Sequence, residues 1–324
     1  MNRSDKTIDN PTERNMDIKN KIAEEMAPEL WPALPFEVWK DTCETLHMWT
    51  QIVGKVRLEL SPYMNHWWQV PLYVTARGLT TSPIPYNDRI FEVNFDFIDH
   101  NLLILTSDGT TKAMPLLART VAEFYQEFMA SLRSLGIQVQ INTLPCEVAN
   151  PIHCDRDDVH ASYDPAYVHR FWRILVQTDK VLKEYRSFFI GKCTPVHFFW
   201  GSFDMAVTFF SGRRAPERPG ADHITREAYS HEVISCGFWP GSEQSNKPAF
   251  YSYTSPAPAG LDKAPIRPNS AFYSPEMSEF ILLYDDMRNS AAPAQALLDF
   301  CHSTYEAGAN LAHWDREALE RKAQ

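Results

Sequence analysis

The stretch TPVHFFWGSFDMAVTFFSGRRAP, residues 194–216, is the most aromatic run of the chain and decides the predicted fold. Its apolar side chains on either side of the Gly-Ser pair at 201–202 predict two strands joined by a bend. The run also carries His197, Asp204 and the neighbours Arg213 and Arg214. Titratable groups are costly to bury without partners, so we expect a functional site here.

An earlier stretch, PYMNHWWQVPLYVTARG at residues 62–78, resembles a second copy of this run. It predicts a strand over residues 65–76. Aligning the two stretches leaves His66 and His197 two residues apart, which preserves the strand face because side chains alternate with a period of two. This similarity predicts an internal duplication. The alternative is that any two aromatic strands flanked by helices look alike.

The rest of the chain predicts an α+β fold, mainly antiparallel sheet with flanking helices, in two related halves. A capping-box signature at Thr120 and Glu123 marks the start of one helix. Helices are predicted from Phe36, behind Thr120, at 165–189 and at 293–311; strands are predicted at 91–97, 102–106, 111–114, 137–141, 227–238, 250–253, 271–273 and 280–284. We expect residues 1–30 to be a disordered tail, with halves at 31–150 and 151–324 packed as one globular unit.

Composition excludes several classes of partner. The 324 residues carry a formal net charge of −10, which argues against nucleic acid and an anionic membrane surface, since both require a basic face. No apolar run reaches the roughly 18 residues of a membrane span, and the polar N-terminus does not predict a secretory signal. Six cysteines show no regular spacing. These features predict a cytoplasmic protein with a small-molecule ligand, and leave its oligomeric state open.

His197, Asp204 and His231 are the candidate catalytic residues. Imidazole beside large apolar rings can serve as a general base or a metal ligand, and a carboxylate in an apolar run is either paired or shifted in pKa for acid–base work. His66, His197 and His231 are candidate ligands for a divalent metal, although no spacing motif supports such a site. The alternative is that these histidines lie in the core with backbone or water partners. The cofactor therefore remains unknown.

Arginines at strand ends are the candidate substrate contacts. Arg213 and Arg214, with Arg77 as their counterpart in the first half, could grip a carboxylate or a phosphate through guanidinium forks. Trp200 could stack against an aromatic ligand. The alternatives are a solvated turn paired with local carboxylates for the arginines and a core position for the tryptophan.

Eight motifs together resemble a bacterial family catalogued only as a domain of unknown function, number 5996. The motifs are WPALP (31–35), TLHMWTQIVGK (45–55), NHWW (65–68), PLYVTARGLTTSP (71–83), PVHFFWGSFD (195–204), SGRRAP (211–216), SHEV (230–233) and CGFWPG (236–241). The resemblance covers roughly residues 31–318 and implies one family-wide unit. It implies no particular activity.

The functional hypothesis is an enzyme that acts on a small anionic or aromatic metabolite. Its pocket lies between the halves, lined by His66, His197, Asp204, Arg213 and His231. A metal-dependent hydrolase or an oxidoreductase would suit these residues. Phosphate-loop, dinucleotide-binding, serine-elbow and zinc-protease motifs are all absent from the sequence. The alternative is a non-catalytic small-molecule-binding or scaffold protein in which the same residues stabilise the core.

Overall fold

The computed structural model describes residues 29–242 and 246–322. In these ranges the chain has seven α-helices and two antiparallel six-stranded sheets, which confirms the α+β class. Residues Trp31–Gln324 form one compact unit. The predicted tail at 1–30 falls almost wholly outside the described residues. None of the helices described is both long enough and apolar enough to span a bilayer.

The helices are α1 (Phe36–Leu60), α2 (Val121–Ser134), α3 (Pro165–Ser187), α4 (His223–Ala228), α5 (Tyr284–Arg288), α6 (Pro293–Leu311) and α7 (Arg316–Leu319). The strands are β1 (Tyr73–Val74), β2 (Gly78–Thr80), β3 (Ile84–Tyr86), β4 (Arg89–Asp96), β5 (Asn101–Thr106), β6 (Thr111–Pro115), β7 (His197–Phe199), β8 (Asp204–Arg214), β9 (His231–Trp239), β10 (Ala249–Ser255), β11 (Phe272–Ser274) and β12 (Glu279–Leu283).

The first sheet has the strand order β1-β2-β4-β5-β6, with β3 paired to β4. Its apolar face packs against α1 and α2, whose Trp49 and Phe124 rings stack with centroids 4.6 Å apart. The predicted capping box is present at the start of α2. Thr120 Oγ1 accepts from the Glu123 backbone at 3.1 Å, and Glu123 Oε2 accepts from the Thr120 backbone at 3.0 Å.

The second sheet has the strand order β11-β12-β10-β9-β8-β7. One face is covered by α3 and α6, because Phe209 of β8 packs against Tyr185 of α3 and Tyr305 of α6 with ring centroids 4.8 and 5.6 Å away. Side chains alternate across a strand, so the neighbouring positions of β8, β9, β10 and β12 face the other way. That second face carries the polar groups described below.

In the described part of the chain, a backbone bridge between Leu72 and Phe198 joins the two sheets. The backbone N–H of Leu72 donates to the carbonyl of Phe198 at 2.8 Å, and the Phe198 N–H donates back to Leu72 at 2.9 Å. The segment before β1 therefore lies beside β7, at the edge of the second sheet. This bridge places the first half of the chain at the border of the polar face.

The strand predicted over residues 65–76 is wrong. Asn65–Trp67 is a 3-10 turn, and His66 and Trp67 adopt left-handed φ values of 59° and 63°. The turn is fixed from outside, because Glu227 Oε1 accepts the backbone N–H of His66 at 3.0 Å. Of the predicted strand, only Leu72, in its bridge with Phe198, and β1 pair as strands do. Without a strand here, the two aromatic stretches differ in structure and the internal duplication stays a prediction.

Two further strand predictions need correction. Residues 137–141 form no strand, although Ile137 is fully buried as their alternation requires. The strand predicted from Glu227 begins instead at His231, since residues 223–228 form helix α4. Asp222 starts that helix by accepting the backbone N–H groups of Ile224 and Thr225. A capping side chain thus outweighs the local strand pattern.

Candidate functional site

The polar face of the second sheet borders a cavity of about 1270 Å³. Side chains from β8, β9, β10 and β12 form its floor. Segments around Trp67, Trp68 and Glu147, from the first half of the chain, form part of its wall. The principal floor residues are Asp204, Ala206, Thr208, Val233, Ser235, Tyr251, Tyr253, Glu279 and Ile281.

Asp204 is a buried carboxylate of this cavity, and both of its oxygens are hydrogen-bonded. It is 7% exposed, and its two carboxylate oxygens accept hydrogen bonds from the hydroxyls of Ser202 and Tyr251. Burial raises the pKa of Asp204, while the two hydrogen bonds act in the opposite direction. The carboxylate is therefore fixed in orientation at the start of β8.

Glu279 lies on β12 and is only partly buried. Burial, and then the charge of Asp204, raises the pKa of Glu279 to about 7. Among the described residues its carboxyl group has no hydrogen-bond or ion-pair partner. A cavity-facing carboxyl group that titrates near neutral pH can both take up and release a proton.

Glu147 supplies a third carboxyl group from the loop after α2. Although Glu147 as a residue is exposed, desolvation of its carboxyl group by the surrounding atoms raises its pKa, and the charges of Asp204 and Asp222 raise it further. The carboxyl group lies against Gly201, where a Cβ would fall 2.7 Å from Glu147 Oε1. Carboxyl groups from three separate segments thus converge on one cavity.

Helix α1 positions the loop that carries Glu147. Gln51 donates from Nε2 to the carbonyl of Cys146 at 2.8 Å and accepts the Cys146 N–H at 2.9 Å. Lys55 donates to the carbonyl of Leu144 at 2.7 Å. These polar side chains are buried on the helix, and they satisfy the backbone of an irregular loop that has no sheet partner.

The same helix supports the turn before Asp204. His47 Nε2 donates to the carbonyl of Gly201 at 2.8 Å, and its ring stacks on Phe203. Burial lowers the pKa of His47 to about 4, so the ring is neutral at physiological pH. One helix therefore positions both Asp204 and Glu147.

Aromatic groups complete the cavity wall. The hydroxyl oxygens of Tyr229 and Tyr253 are hydrogen-bonded at 2.9 Å. The rings of Tyr251 and Tyr253 stack with centroids 6.2 Å apart. Trp67 and Trp239 also line the space. Within the described part of the chain, no lysine or arginine lines this cavity. The cavity is therefore acidic, and aromatic rings form much of its wall.

Trp200, predicted to contact substrate, lines the cavity but also belongs to the core. Its indole donates to the carbonyl of Val70 at 2.8 Å and is 6% exposed. The ring lies directly on Gly54 of α1, where a Cβ would come within 2.3 Å of it. Little of the Trp200 side chain is therefore available to a ligand.

His197, predicted to be catalytic, is fully buried and borders neither cavity described here. It packs edge-on against the rings of Trp68, Tyr73 and Phe199. Neither ring nitrogen has a partner in the described structure. Burial lowers the pKa of His197 to about 3, with smaller effects from nearby arginines. Its position gives the predicted catalytic role no support.

The predicted contacts of Arg213 and Arg77 with substrate also lack support. Arg213 binds Glu232 Oε2 at 2.6 Å and donates to the carbonyls of Ala312 and His313 beyond α6. Arg77 binds Asp96 and Asp99 in the first sheet. Both guanidinium groups are already bonded to carboxylates of the chain and thereby stabilise the fold.

Arg214, His66 and His231 do come together, around a second cavity of about 590 Å³. The rings of His66 and His231 lie with centroids 5.6 Å apart. Trp68 contacts His66 on one side and His197 on the other. Among the residues described, no three His, Cys, Asp or Glu side chains are placed to hold a metal ion.

Sequence reasoning missed Glu147, Glu279 and the supports of Asp204. One signal was available on α1. His47, Gln51 and Lys55 repeat every four residues, so they share one helix face, and three polar groups on one face of a helix that is otherwise buried indicate that they bind something. The partners themselves, a loop and a turn far along the chain, carry no such signal.

The fold and the cavity define an α+β protein with an acidic, aromatic-lined pocket on one sheet. The chain belongs to the family of unknown function DUF5996, whose model matches residues 31–321. This match confirms the resemblance found in the motifs. No curated protein and no solved structure matches the chain.

Proposed function

We propose that this protein is an enzyme that binds a small organic cation in the large cavity and acts on it by general acid–base chemistry. The observation that carries the proposal is the carboxyl group of Glu279, which faces the cavity without a partner beside the held carboxylate of Asp204. Two carboxyl groups whose environments separate their pKa values are a recurrent acid–base arrangement.

The charge of the cavity supports a cationic ligand. Desolvation raises the pKa values of Asp204, Glu147 and Glu279, and in the described part of the chain only Asp204 among them has hydroxyl donors that oppose this effect. A bound ammonium group would favour their ionised forms. The aromatic walls suit the same ligand, because a cation over an aromatic face is attracted by the ring quadrupole.

The two best-placed carboxyl groups would have different roles. Glu279, with a pKa of about 7, would transfer protons at neutral pH. Asp204, whose two oxygens already accept hydroxyl hydrogen bonds from Ser202 and Tyr251, would attract the cation. Tyr251, hydrogen-bonded to Asp204, would hold that carboxylate in place during the reaction.

This proposal departs from the anionic metabolite expected from the sequence. The arginines that suggested an anion lie elsewhere, with Arg213 bound to Glu232 and Arg214 in the smaller cavity. An aromatic substrate remains compatible with the walls of the large cavity. We therefore propose an aromatic or alkyl amine as the substrate class.

Three ligands that share one ring and differ in charge test the proposal. Isothermal titration with benzylammonium, benzyl alcohol and benzoate should show the tightest binding for benzylammonium. Asp204→Asn and Glu279→Gln should each weaken that binding by about tenfold, as expected for loss of a charged contact. Glu217→Gln, an exposed position outside the cavity, should leave it unchanged. Tighter binding of benzoate would refute the cationic proposal.

Proton release separates catalysis from simple binding. Near pH 7 a bound cation should displace a proton from Glu279, so the heat of binding should depend on the ionisation enthalpy of the buffer. Glu279→Gln should abolish that dependence. Binding of benzylammonium without proton release would contradict the acid–base role and favour the alternative, a non-catalytic binding protein.

A further inference from the structure

We infer that the smaller cavity, of about 590 Å³, is a binding site for a phosphate-bearing small molecule. The inference rests on this cavity alone and does not depend on the proposed function of the larger one. The residues around it are Asn65, His66, Lys192, Arg214, His223, Arg226, Glu227, Ser230 and His231.

Three cationic side chains converge here from separate segments. Lys192 precedes β7, Arg214 ends β8, and Arg226 lies on α4. In the part of the chain that the structure describes, none of the three forms an ion pair. In a protein of net charge −10, carboxylates are abundant, so three cations that line one cavity without an ion pair to any described carboxylate indicate a site that an anion completes.

Among the described residues that line this cavity, Glu227 is the only one with a carboxylate, and that carboxylate already has hydrogen-bond partners. Glu227 accepts the backbone N–H of His66 at 3.0 Å through Oε1 and the hydroxyl of Tyr63 through Oε2. It thereby holds the left-handed turn at His66 and Trp67. Strained backbone of this kind persists where surrounding structure fixes it, and it is frequent at ligand clamps. Glu227 is thus a support of the turn rather than a partner for the cations.

The ammonium group of Lys192 is oriented by His66 and by two aromatic rings. His66 Nδ1 lies 3.0 Å from the carbonyl of Glu227, which can only accept, so Nδ1 carries the proton and Nε2 is free to accept. Lys192 donates to that Nε2 at 2.7 Å, and its ammonium lies over the rings of Trp68 and Phe210 at 5.3 and 5.0 Å. An ammonium group has three donors, so Lys192 retains two for a ligand.

Arg214 reaches this cavity from the end of β8. It pairs with His231 across an irregularity in the β8–β9 ladder, between Phe210 and Arg214. His231 in turn contacts the hydroxyl of Ser230 at 3.0 Å. Arg213, the residue before Arg214, does not line the cavity and instead donates to Glu232. Of these two adjacent arginines, only Arg214, which follows the register shift, lines the cavity among the described residues.

A phosphate group fits these residues better than a single carboxylate. Guanidinium groups bind phosphate oxygens through paired donors, and three converging cations match a dianion rather than a monoanion. The net negative charge of the chain and the concave shape both argue against a nucleic acid or a membrane surface. His66 lines both cavities, so a ligand bound here would lie beside the larger pocket.

Titration with inorganic phosphate tests this inference, with acetate as the comparison at equal ionic strength. The purified full chain should bind phosphate saturably. Arg214→Gln and Arg226→Gln, which lie on different elements, should each weaken binding by about tenfold, since each removes charge-assisted hydrogen bonds. Arg156→Gln is the matched control, because Arg156 is 74% exposed and lies outside the cavity; it should change the affinity less than twofold.

Several results would overturn the inference. These are acetate binding as tightly as phosphate, equal affinity in the wild type and both cavity variants, or no saturable phosphate binding by the wild type. Thermal melting of each variant verifies that it is folded. Benzylammonium binding reports on the larger cavity in the same samples, so a failure of this inference is distinguished from a failure of the proposed function.

Discussion

Tyr251 reaches Asp204 by passing over Gly237 of the strand that lies between them. Tyr251 of β10 is paired directly with Gly237 of β9, and its hydroxyl donates to Asp204 at the start of β8. A Cβ on Gly237 would lie 2.5 Å from that hydroxyl and 2.6 Å from the carbonyl oxygen of Met205. The glycine is therefore required for space: without it, the cavity would lose the contact that orients its most buried carboxylate.

Gly237→Ala should displace the Tyr251 side chain and destabilise the fold. We expect a loss of about 1–3 kcal/mol in the free energy of unfolding, the usual cost of overpacking. Benzylammonium binding should weaken as well, because Asp204 loses its orientation. Urea denaturation and calorimetric titration provide the two measurements.

Tyr251→Phe is the control for that variant, since it removes the hydroxyl without adding a clash. It should weaken benzylammonium binding as Gly237→Ala does, but without the backbone collision at Met205. A Gly237→Ala protein with wild-type stability and wild-type binding would show that Tyr251 does not need the gap.

Glu279 should make stability fall as pH rises. Its pKa in the folded chain, about 7, lies above the ordinary 4.5, so between these values the folded state holds more protons than the unfolded state. The associated stability is present below about pH 4.5 and is lost as pH rises through about 7. Glu279→Gln should remove this loss, seen as a flatter unfolding free energy between pH 5 and 8.

The matched control for this pH effect is Glu217→Gln, at an exposed position. It should reproduce the wild-type slope. If Glu279→Gln also kept that slope, the carboxyl group would have an ordinary titration, and the acid–base role of Glu279 would be lost with it.

Replacing His197 should be tolerated. Its unpaired ring nitrogens are buried among aromatic rings, so His197→Leu should leave stability equal or raise it by about 1 kcal/mol, since no buried hydrogen bond is broken. The lowered pKa, about 3, means that stability is lost as pH falls from 6.5 toward 3, and the variant should lose less. Loss of benzylammonium binding in this variant would restore a functional role for His197.

The adjacent arginines should give opposite results. Arg213→Gln should lower the free energy of unfolding by about 1 kcal/mol, because its partly exposed guanidinium bonds Glu232 and the end of α6. Arg214→Gln should change stability by less than about 0.5 kcal/mol yet weaken phosphate binding. Denaturation and titration of both variants test this difference, and a stability loss confined to Arg214→Gln would reverse the assignment.

Local patterns in the sequence predicted much of the framework. Helix α6 begins at Pro293 and ends at Leu311, as its amphipathic stripe indicates. The capping box of α2 and the meander of β4, β5 and β6 are likewise as predicted. These elements depend on interactions between residues close in the chain, so apolar periodicity and capping residues are sufficient to specify them.

Local patterns did not predict the left-handed turn at His66. Its residues alternate as a strand would, yet Glu227, distant in sequence, accepts the His66 N–H and closes the turn. Long-range hydrogen bonds that Glu227 accepts from His66 and Tyr63 thus outweigh the local preference. Nothing near His66 in the sequence encodes that partner.

By itself, the sequence determined the fold class and most of the elements, because burial and periodicity are properties of local residue order. Tertiary structure alone decided the chemistry of the site. It gathered Glu147, Asp204 and Glu279 from three segments around one cavity and sent Arg213 and Arg214 to different surroundings. The physical reason is that proton affinity and charge pairing depend on distance and burial in space, and strand register and loop closure set both.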